Sequence, residues 1–390
     1  MHSISSARSD SRKSSISQTI AIVVVVIIIV AAAAAAYLYF SASSSSPPQS
    51  FNFGFEATDP THANTVDALN HMSQFNLKAN IHLISDPATL TSATANGQVD
   101  MMVFQFATTT LNAIEQGANV VAIGEESTAF LQDLVVSTSI NNITGLKGTT
   151  MAAFSLDGPV LFPLVWAAQG ENFSNYNINL VVIGDSSVKA QALIANKYVG
   201  AFLDPSDAAA VFKAAPGKFH TIATTAAAFP GIGGGLYFAN KSWLNTHFQT
   251  AVDFITAVLE SDRNATTNLQ PWIQSTYNAN FSQLDFSIYN STEHILAASD
   301  FFSPNMITYT PPLMNASDNF LFFGGLINSS GKVNQIYNFS VLQKALQNLG
   351  TVPEPAGPYQ TDQPLSFTGS SFGSTGVLYV MPALEISGKR

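Results

Sequence analysis

The sequence predicts an α/β protein of two similar lobes joined by crossing strands, preceded by one membrane-spanning helix. Three observations carry this expectation. From Phe51 onward, short apolar runs alternate with helical patterns, which marks βαβ units and a mainly parallel sheet. A helix, turn and strand unit occurs twice, over Leu90–Phe104 and over Leu193–Leu203, which points to two look-alike halves and not one large sheet. Residues Ile20–Phe40 form a stretch of 21 residues without a charge, enough to cross a ~30 Å hydrocarbon core as a helix.

Composition narrows the function classes. Of 390 residues, 46% are hydrophobic and only 10% charged, against roughly a quarter charged in average soluble chains. Such a chain is not disordered, because disorder goes with low hydrophobicity and high net charge. The net charge of −10 argues against a nucleic-acid surface. The cysteine count of zero removes disulfides, thiolate metal sites, a cysteine nucleophile and a cysteine-linked lipid anchor together.

The amino end sets the expected topology. Arg8, Arg12 and Lys13 precede the apolar stretch, and positive charge stays cytoplasmic; Tyr37 and Tyr39 lie at its outer end, where amphipathic rings favour the interface. Residues 1–19 are thus expected inside, 20–40 in the membrane and 41–390 outside, a single-pass protein of the cell membrane with an extracellular carboxyl-terminal part. A cleaved signal peptide is the alternative, since Ala31–Ala36 offers small-residue cleavage sites. The run Lys13–Gln18 resembles the class III, pilin-type signal of archaeal surface proteins, which implies cleavage ahead of a retained apolar segment. Residues 41–50, SASSSSPPQS, read as a solvated linker. Nine N-x-S/T sequons follow it, at Asn142, Asn172, Asn240, Asn264, Asn280, Asn290, Asn315, Asn328 and Asn338, and none precedes it; N-glycans are expected on an outside location. Low charge and absent cysteine also suit an acidic, oxidising exterior.

The elements follow in order. Asn52–Phe55 is a first strand, and the polar loop Glu56–His62 leads to a helix with Val66, Leu69, Met72 and Phe75 on one face. Asn80–Ile84 is a strand; Asp86 caps a helix with Pro87 at its first position and Gly97 past its end. Val99–Phe104 is a buried strand, Thr108–Thr110 opens a helix closed by Gly117, and Val120–Ile123 is a strand followed by a polar loop at Glu125–Glu126. Leu134–Ser137 crosses over. Strands at Thr149–Phe154, Leu180–Ile183 and Val199–Leu203 then alternate with helices over Leu161–Ala168, from the Asp185–Ser187 cap, and over Ser206–Ala215. Gly231–Gly235 is flexible or tightly turning, and Ser242 caps a long helix carrying Leu244, Phe248, Val252, Ile255 and Leu259 on one face. The expected organisation is lobe 1 over 51–135, lobe 2 over 136–225, a mostly helical return to lobe 1 over 226–350, and a tail of unplaced role over 351–390 with one strand-like run at Val377–Met381.

Three segments resemble a known family. Asn96-Gly97-Gln98-Val99-Asp100 stands before an apolar strand, Gly145–Ala152 reads GLKGTTMA, and Val199–Pro205 reads VGAFLDP. Their order and separation are similar to the type II periplasmic solute-binding proteins of ABC importers, in the branch of sulfonate-, taurine-, nitrate- and thiamine-precursor-binding proteins. The resemblance covers roughly residues 51–260. It departs at Gly200, where the family usually carries aspartate, and residues 265–390 match no part of it. It implies a two-lobe fold with crossing hinge strands, a small-molecule ligand captured between the lobes, and ABC transporter permease subunits as partners.

In that fold the ligand sits at the carboxyl ends of the strands, where helix amino ends present N–H groups. Five loops follow the predicted strands, and they make Thr58, Asp59, His62, Gln105, Thr108, Ser155, Asp157, Gly158, Asp185, Ser186 and Asp204 the candidate ligand-binding residues. Each has a plainer reading. Thr108, Asp185 and Ser186 serve equally as helix caps, Asp59-Pro60 is an ordinary turn signature, a histidine in a polar loop such as His62 is ordinarily solvated, and Phe104 and Phe106 beside a strand suit a core. Arginine beyond the linker is confined to Arg263 and Arg390. The scarcity of guanidinium clamps disfavours amino-acid or organophosphate ligands and favours a neutral or weakly polar ligand, or an anion held by N–H and hydroxyl groups.

No cofactor, metal or catalytic residue is expected. The sequence has no G-x-x-x-x-G-K-[ST] loop, no G-x-S-x-G elbow and no H-E-x-x-H pair, and its seven histidines are scattered. Gly231–Gly235 lacks the Lys-Ser/Thr ending of a phosphate cradle and reads better as a hinge. Two other functions compete with solute binding: a glycosylated structural or adhesive surface protein, and an enzyme of the thiamine-pyrimidine branch, whose cysteines are absent here.

Overall fold

The computed structural model describes residues 47–354, apart from 57–58, 106, 154–157, 184–185, 229–233, 300 and 324–326. The expected membrane helix at 20–40 and the strand at Val377–Met381 lie outside these residues. Among the described residues no helix is long and apolar enough to cross a membrane.

Among the described residues, ten strands form two five-stranded sheets. The first holds β1 (Gln49–Phe55), β2 (Leu77–Leu83), β3 (Met101–Phe104), β4 (Val120–Glu125) and β10 (Leu236–Asn240), in the order β2-β1-β3-β10-β4. The second holds β5 (Asp133–Ser137), β6 (Thr150–Ala153), β7 (Asn179–Val182), β8 (Gly200–Leu203) and β9 (Phe219–Thr224), in the order β7-β6-β8-β5-β9. The two orders are one pattern used twice. β1 pairs parallel with β3, and β6 pairs parallel with β7 and β8. One strand then enters each sheet antiparallel: β10 between β3 and β4, β5 between β8 and β9.

The internal repeat extends to the turns. The helices Pro87–Ala95 and Ser186–Ile194 lead into β3 and β8. In the first, Gly97 adopts φ +75° and the N–H of Gln98 donates to Ala93 O at 2.9 Å; in the second, Asn196 adopts φ +56° and the N–H of Lys197 donates to Ala192 O at 3.0 Å. Both satisfy the last helical carbonyls by the same left-handed cap, which glycine or asparagine tolerates.

The two crossings run side by side. The N–H of Glu126 donates to Gly235 O at 2.8 Å, the N–H of Gly234 to Ser127 O at 2.9 Å and the N–H of Gly235 to Ser127 Oγ at 2.7 Å. Further on, the N–H of Gln132 donates to Thr225 Oγ1 at 2.7 Å, and that hydroxyl donates to Phe130 O at 2.6 Å. The contact is so close that a Cβ at Gly234 would overlap the Ala129 carbonyl and one at Gly235 the Glu126 carboxylate.

Several elements differ from expectation. The helix expected to carry Val66, Leu69, Met72 and Phe75 stops at Asn70, and Met72–Phe75 forms a tighter turn closed by Asn76 at φ +56°. Strands β9 and β10 were not foreseen; both lie where short apolar runs abut turn residues. The long helix is two, Lys241–Thr246 and Phe248–Thr267, and Asn240 caps the first. Asn240 Oδ1 accepts from the N–H of Trp243 at 2.9 Å, while Ser242, the expected cap, has its hydroxyl bonded by Asn119 Nδ2 at 2.9 Å. Asn240 is buried and its amide also donates to Thr94 O at 2.8 Å, so of the nine sequons this asparagine offers no accessible amide to a glycan.

Apolar burial holds each sheet. Under β1, the rings of Phe53 and Tyr237 pack on Phe254 with centroids 5.0 and 5.1 Å away. On the second sheet, Phe162 packs edge-on to Phe202 at 4.8 Å. The helix Phe286–Ala298 packs against both the turn Pro60–His62 and the helix Pro205–Ala214. Lys213 Nζ meets Asp285 Oδ2 at 2.5 Å at its amino end.

Candidate functional site

The residues that end the strands converge. The turn after β1 carries Asp59 and, within Pro60–His62, His62; β3 is followed by Gln105 and β4 by Glu126; β8 is followed by Asp204. His62 Nδ1 lies 2.7 Å from Glu126 Oε1, with both side chains fully buried. Thr65 Oγ1 donates to the same carboxylate oxygen at 2.6 Å, and Gln105 Nε2 donates to Oε2 at 2.8 Å and to Thr61 O at 3.2 Å. Phe55 stands edge-on to the imidazole at 5.5 Å. Burial opposes charge on His62, but the Glu126 carboxylate and its hydrogen bond outweigh it and push the imidazole pKa up to about 10. His62 is therefore held as an imidazolium against Glu126. His62 Nε2 is buried and has no hydrogen-bond partner.

The second sheet closes on this group. Asp204 stands at the amino end of helix Pro205–Ala214 without capping it; its Oδ1 accepts from Gln132 Nε2 at 3.1 Å. Ser186 Oγ accepts from the N–H of Asp204 at 2.8 Å, which ties the start of helix Ser186–Ile194 to the same loop. Burial raises the Asp204 carboxyl to about 7; the charge of Asp59 adds to the rise and that of Lys189 opposes it. Burial likewise raises Glu56 to about 7, with His62 opposing and Asp59, Asp204 and Glu126 adding. These couplings bring the loops after β1, β4 and β8 into one electrostatic neighbourhood.

Of the residues expected here, Asp59, His62, Gln105, Ser186 and Asp204 come together. Thr108 is buried in the first turn of helix Thr108–Glu115, which Ala107 caps, and Gly158 begins helix Gly158–Ala168. Thr58, Ser155, Asp157 and Asp185 lie outside the described residues.

Two expectations are corrected. His62 is no solvated loop histidine: the tight turn packs it beneath Phe55 and the Glu126 carboxylate holds it there. Glu125-Glu126 is no polar loop. Both are buried, and Glu125, raised to about 8 by burial, accepts from Thr308 Oγ1. Glu56, Glu126, Gln132, Lys189 and Glu293 were missed. The signal for Glu126 was two adjacent acids directly after an apolar strand in a charge-poor chain. Glu293, inside a helix, left no such signal. Among the described residues no group of three His, Cys, Asp or Glu could hold a metal ion.

A concavity of about 580 Å³ lies between helices Pro205–Ala214 and Phe286–Ala298 and is lined by Phe212, Thr221, Ile288 and Ile295. It is largely apolar and contains none of the converging residues above.

The comparisons agree with this architecture. Residues 73–268, just over half of the chain, match the model of a family described as NMT1/THI5 like. The chain belongs to the NMT1/THI5-like family. The search of curated protein sequences found no match. Among solved structures, this NMT1/THI5-like chain is similar to a sulfonate-binding protein, SsuA, of Methylobacillus flagellatus KT, at 17% identity and TM-score 0.60, over 78% of this chain and 95% of that one. It is similar to the ligand-binding component of an ABC-type import system of Staphylococcus aureus, at 13% and 0.61, over 76% and 99%. It is also similar to the nitrate-binding protein NrtA of Synechocystis PCC 6803, at 12% and 0.61, over 80% and 92%. At these identities the likeness establishes the fold: the mixed α/β, two-sheet fold of periplasmic binding proteins.

Proposed function

We propose that this chain is an extracellular solute-binding protein that captures a small molecule between its two sheets and hands it to an ABC importer. One observation carries the reading. At the crossings that join the sheets, the loops after first-sheet strands hold the hydrogen-bonded set His62, Glu126 and Gln105, and the second-sheet side holds the pair Gln132 and Asp204. Buried polar atoms are normally hydrogen-bonded, and here His62 Nε2 and Gln132 Oε1 have no partner. A small molecule with a donor and an acceptor would complete them. Lobe closure about the paired crossings is the mechanism: a ligand that touches both sheets favours the closed state by those extra contacts.

The apolar stretch 20–40 supports anchoring by a single-pass helix, with the linker 41–50 holding the binding part outside the cell membrane, N-glycans on exposed sequons, and a pilin-type signal at Lys13–Gln18. The permease subunits of the importer are the partners. The role is binding and not catalysis.

Native mass spectrometry of the full-length chain, released from detergent, tests the reading. The expected spectrum holds a second species heavier by one small molecule, lost on unfolding. A single apo mass, unaltered by a broad set of solutes, would refute solute binding.

A further inference from the structure

The outer strand of the first sheet, β4, has a second built end. Its carboxyl end leads to Glu126 and the crossings. At its amino end, beside Val121, the chain returns from far along the sequence. Ala122 forms a parallel bridge with Tyr337, and the N–H of Asn338 donates to Ala122 O at 2.8 Å. The short helix Val333–Ile336 leads into this bridge, and helix Lys241–Thr246 follows β10 at the same end. Together these segments enclose a concavity of about 530 Å³, within the size range of small-molecule sites.

The wall has one kind of chemistry. Four side-chain amides line it, Asn245, Asn334, Gln335 and Asn338, with the rings of Tyr337 and Phe339. Asn245, Asn334 and Gln335 are exposed, and their amides bond to no partner among the described residues. Asn338 Oδ1 accepts from the N–H of Ser340 at 3.0 Å, which leaves its NH₂ group for a ligand. Phe339 is half-buried, and its place is fixed by Tyr337 at 6.0 Å and Tyr309 at 5.0 Å between ring centroids.

Charge is nearly absent. Lys241 is the one charged residue among the described residues of the wall, in a chain of net charge −10. A lone ammonium gives no bidentate clamp for an anion. None of the large exposed apolar side chains lies here, so the wall does not suit an apolar partner. An amide places a donor pair and an acceptor side by side. Adjacent sugar hydroxyls present the matching pattern, each both donor and acceptor, and the C–H face of a sugar ring suits the negative face of an aromatic ring.

The geometry points to a second binding site at this end of β4, for a neutral saccharide, with its hydroxyls bonded by Asn245, Asn334 and Gln335 and its ring against Phe339. The saccharide has two sources, a free sugar and a glycan on Asn338, whose sequon Asn338-Phe339-Ser340 borders the concavity.

Saturation-transfer NMR tests the site on the full-length chain, held in a detergent without a sugar head group. The probes are glucose, N-acetylglucosamine and maltose. Ser340→Ala removes the attachment signal and leaves Asn338 in place. At least one probe is expected to receive saturation from this variant, chiefly at its ring C–H protons. In the same background Asn334→Ala/Gln335→Ala, two exposed changes that leave the core intact, is expected to weaken that probe about tenfold, the loss of one or two hydrogen bonds. Phe339→Ala should abolish its binding, and Lys218→Ala, on the second sheet, should leave it unchanged. Glycopeptide mapping of the unaltered chain separates the sources. A probe bound by both forms assigns a free sugar; a probe bound by Ser340→Ala alone, with Asn338 of the unaltered chain glycosylated, assigns the attached glycan. No saturation of any probe by Ser340→Ala, or saturation that the double amide variant leaves unchanged, would overturn the site. Neither result bears on solute binding between the sheets, which the native mass spectrum reads.

Discussion

Nδ1 of His62 lies 2.7 Å from Oε1 of Glu126, and neither side chain has any exposed surface. A buried ion pair of this kind adds little net stability, because desolvation of both charges offsets their attraction, but losing one partner leaves an uncompensated buried charge. Glu126→Gln is therefore expected to destabilise the fold by about 3 kcal/mol or more. The double variant His62→Gln/Glu126→Gln should cost less than the sum of the single changes, since neither charge is then orphaned. Urea denaturation of the four proteins checks this; additive losses would show that the pair is not coupled.

The pH dependence of stability follows from the buried carboxyls. Burial raises Glu56 and Asp204 to about 7, Glu125 to about 8, and Asp133 and Asp318 to about 6. The unfolded chain titrates these groups near 4. Between pH 4 and 8 the folded state thus binds more protons than the unfolded one, and stability falls as pH rises. The stabilisation is complete below about pH 4 and is lost progressively through the folded values up to about 8. The thermal midpoint should be higher at pH 5 than at pH 8.5, which suits an acidic exterior. A midpoint that climbs from pH 5 to 8.5 would contradict these environments.

The crossings leave no room for a side chain. Gly234→Ala places a methyl group on the Ala129 carbonyl, a rigid backbone atom that cannot swing aside. Overpacking of this type costs about 1–3 kcal/mol. The expected outcome is a lowered urea midpoint together with weakened solute binding, because the two joined segments must part. Gly331→Ala, a glycine with nothing within reach of its Cβ but at φ +80°, is the comparison: it strains the backbone without touching the crossings, and should leave binding intact.

Lys213 and Asp285 form an ion pair at 2.5 Å between helix Pro205–Ala214 and the start of helix Phe286–Ala298, with each side chain 48% exposed. Exposed pairs are screened by water and salt and contribute little. Lys213→Ala should leave the thermal midpoint nearly unchanged at moderate salt. A large drop would mean that this contact holds the lobes together.

Asn240 tests the surface chemistry. Its amide caps helix Lys241–Thr246 and donates to Thr94 O, so glycopeptide mapping should find this sequon unmodified even where exposed ones such as Asn264 and Asn328 carry glycans.

Much of this fold was legible in sequence because its helices and inner strands use strong local signals. Asp86 and Pro87 open a helix as expected, with Asp86 Oδ1 accepting from the N–H of Thr89 at 2.7 Å. Gly97 closes it, and the apolar runs at Met101–Phe104 and Val120–Ile123 are strands. Strand β10 was hidden because its partners are far away in sequence: Tyr237 pairs with Val103 and Gly124. The site divided along the same line. Gln105 and Asp204 stand directly after strands, and Asp59, His62 and Ser186 in the segments that follow strands, where topology places them. Gln132 and Glu293 reach the group from a crossing and from a helix remote in sequence, and only tertiary packing brings them there. The burial of Glu293 has the same origin, since nothing local distinguishes it from an exposed helical acid; Glu126 alone left a local trace, its place beside Glu125 directly after an apolar strand.

The most direct test of the whole account is a crystal structure of the chain with its bound solute. The account predicts the solute between the two sheets, within hydrogen-bond distance of His62 Nε2 and reached by Gln132 or Asp204 from the second sheet. A solute seated instead in the apolar groove of Phe212 and Ile288, with side chains filling the space around His62, would contradict it.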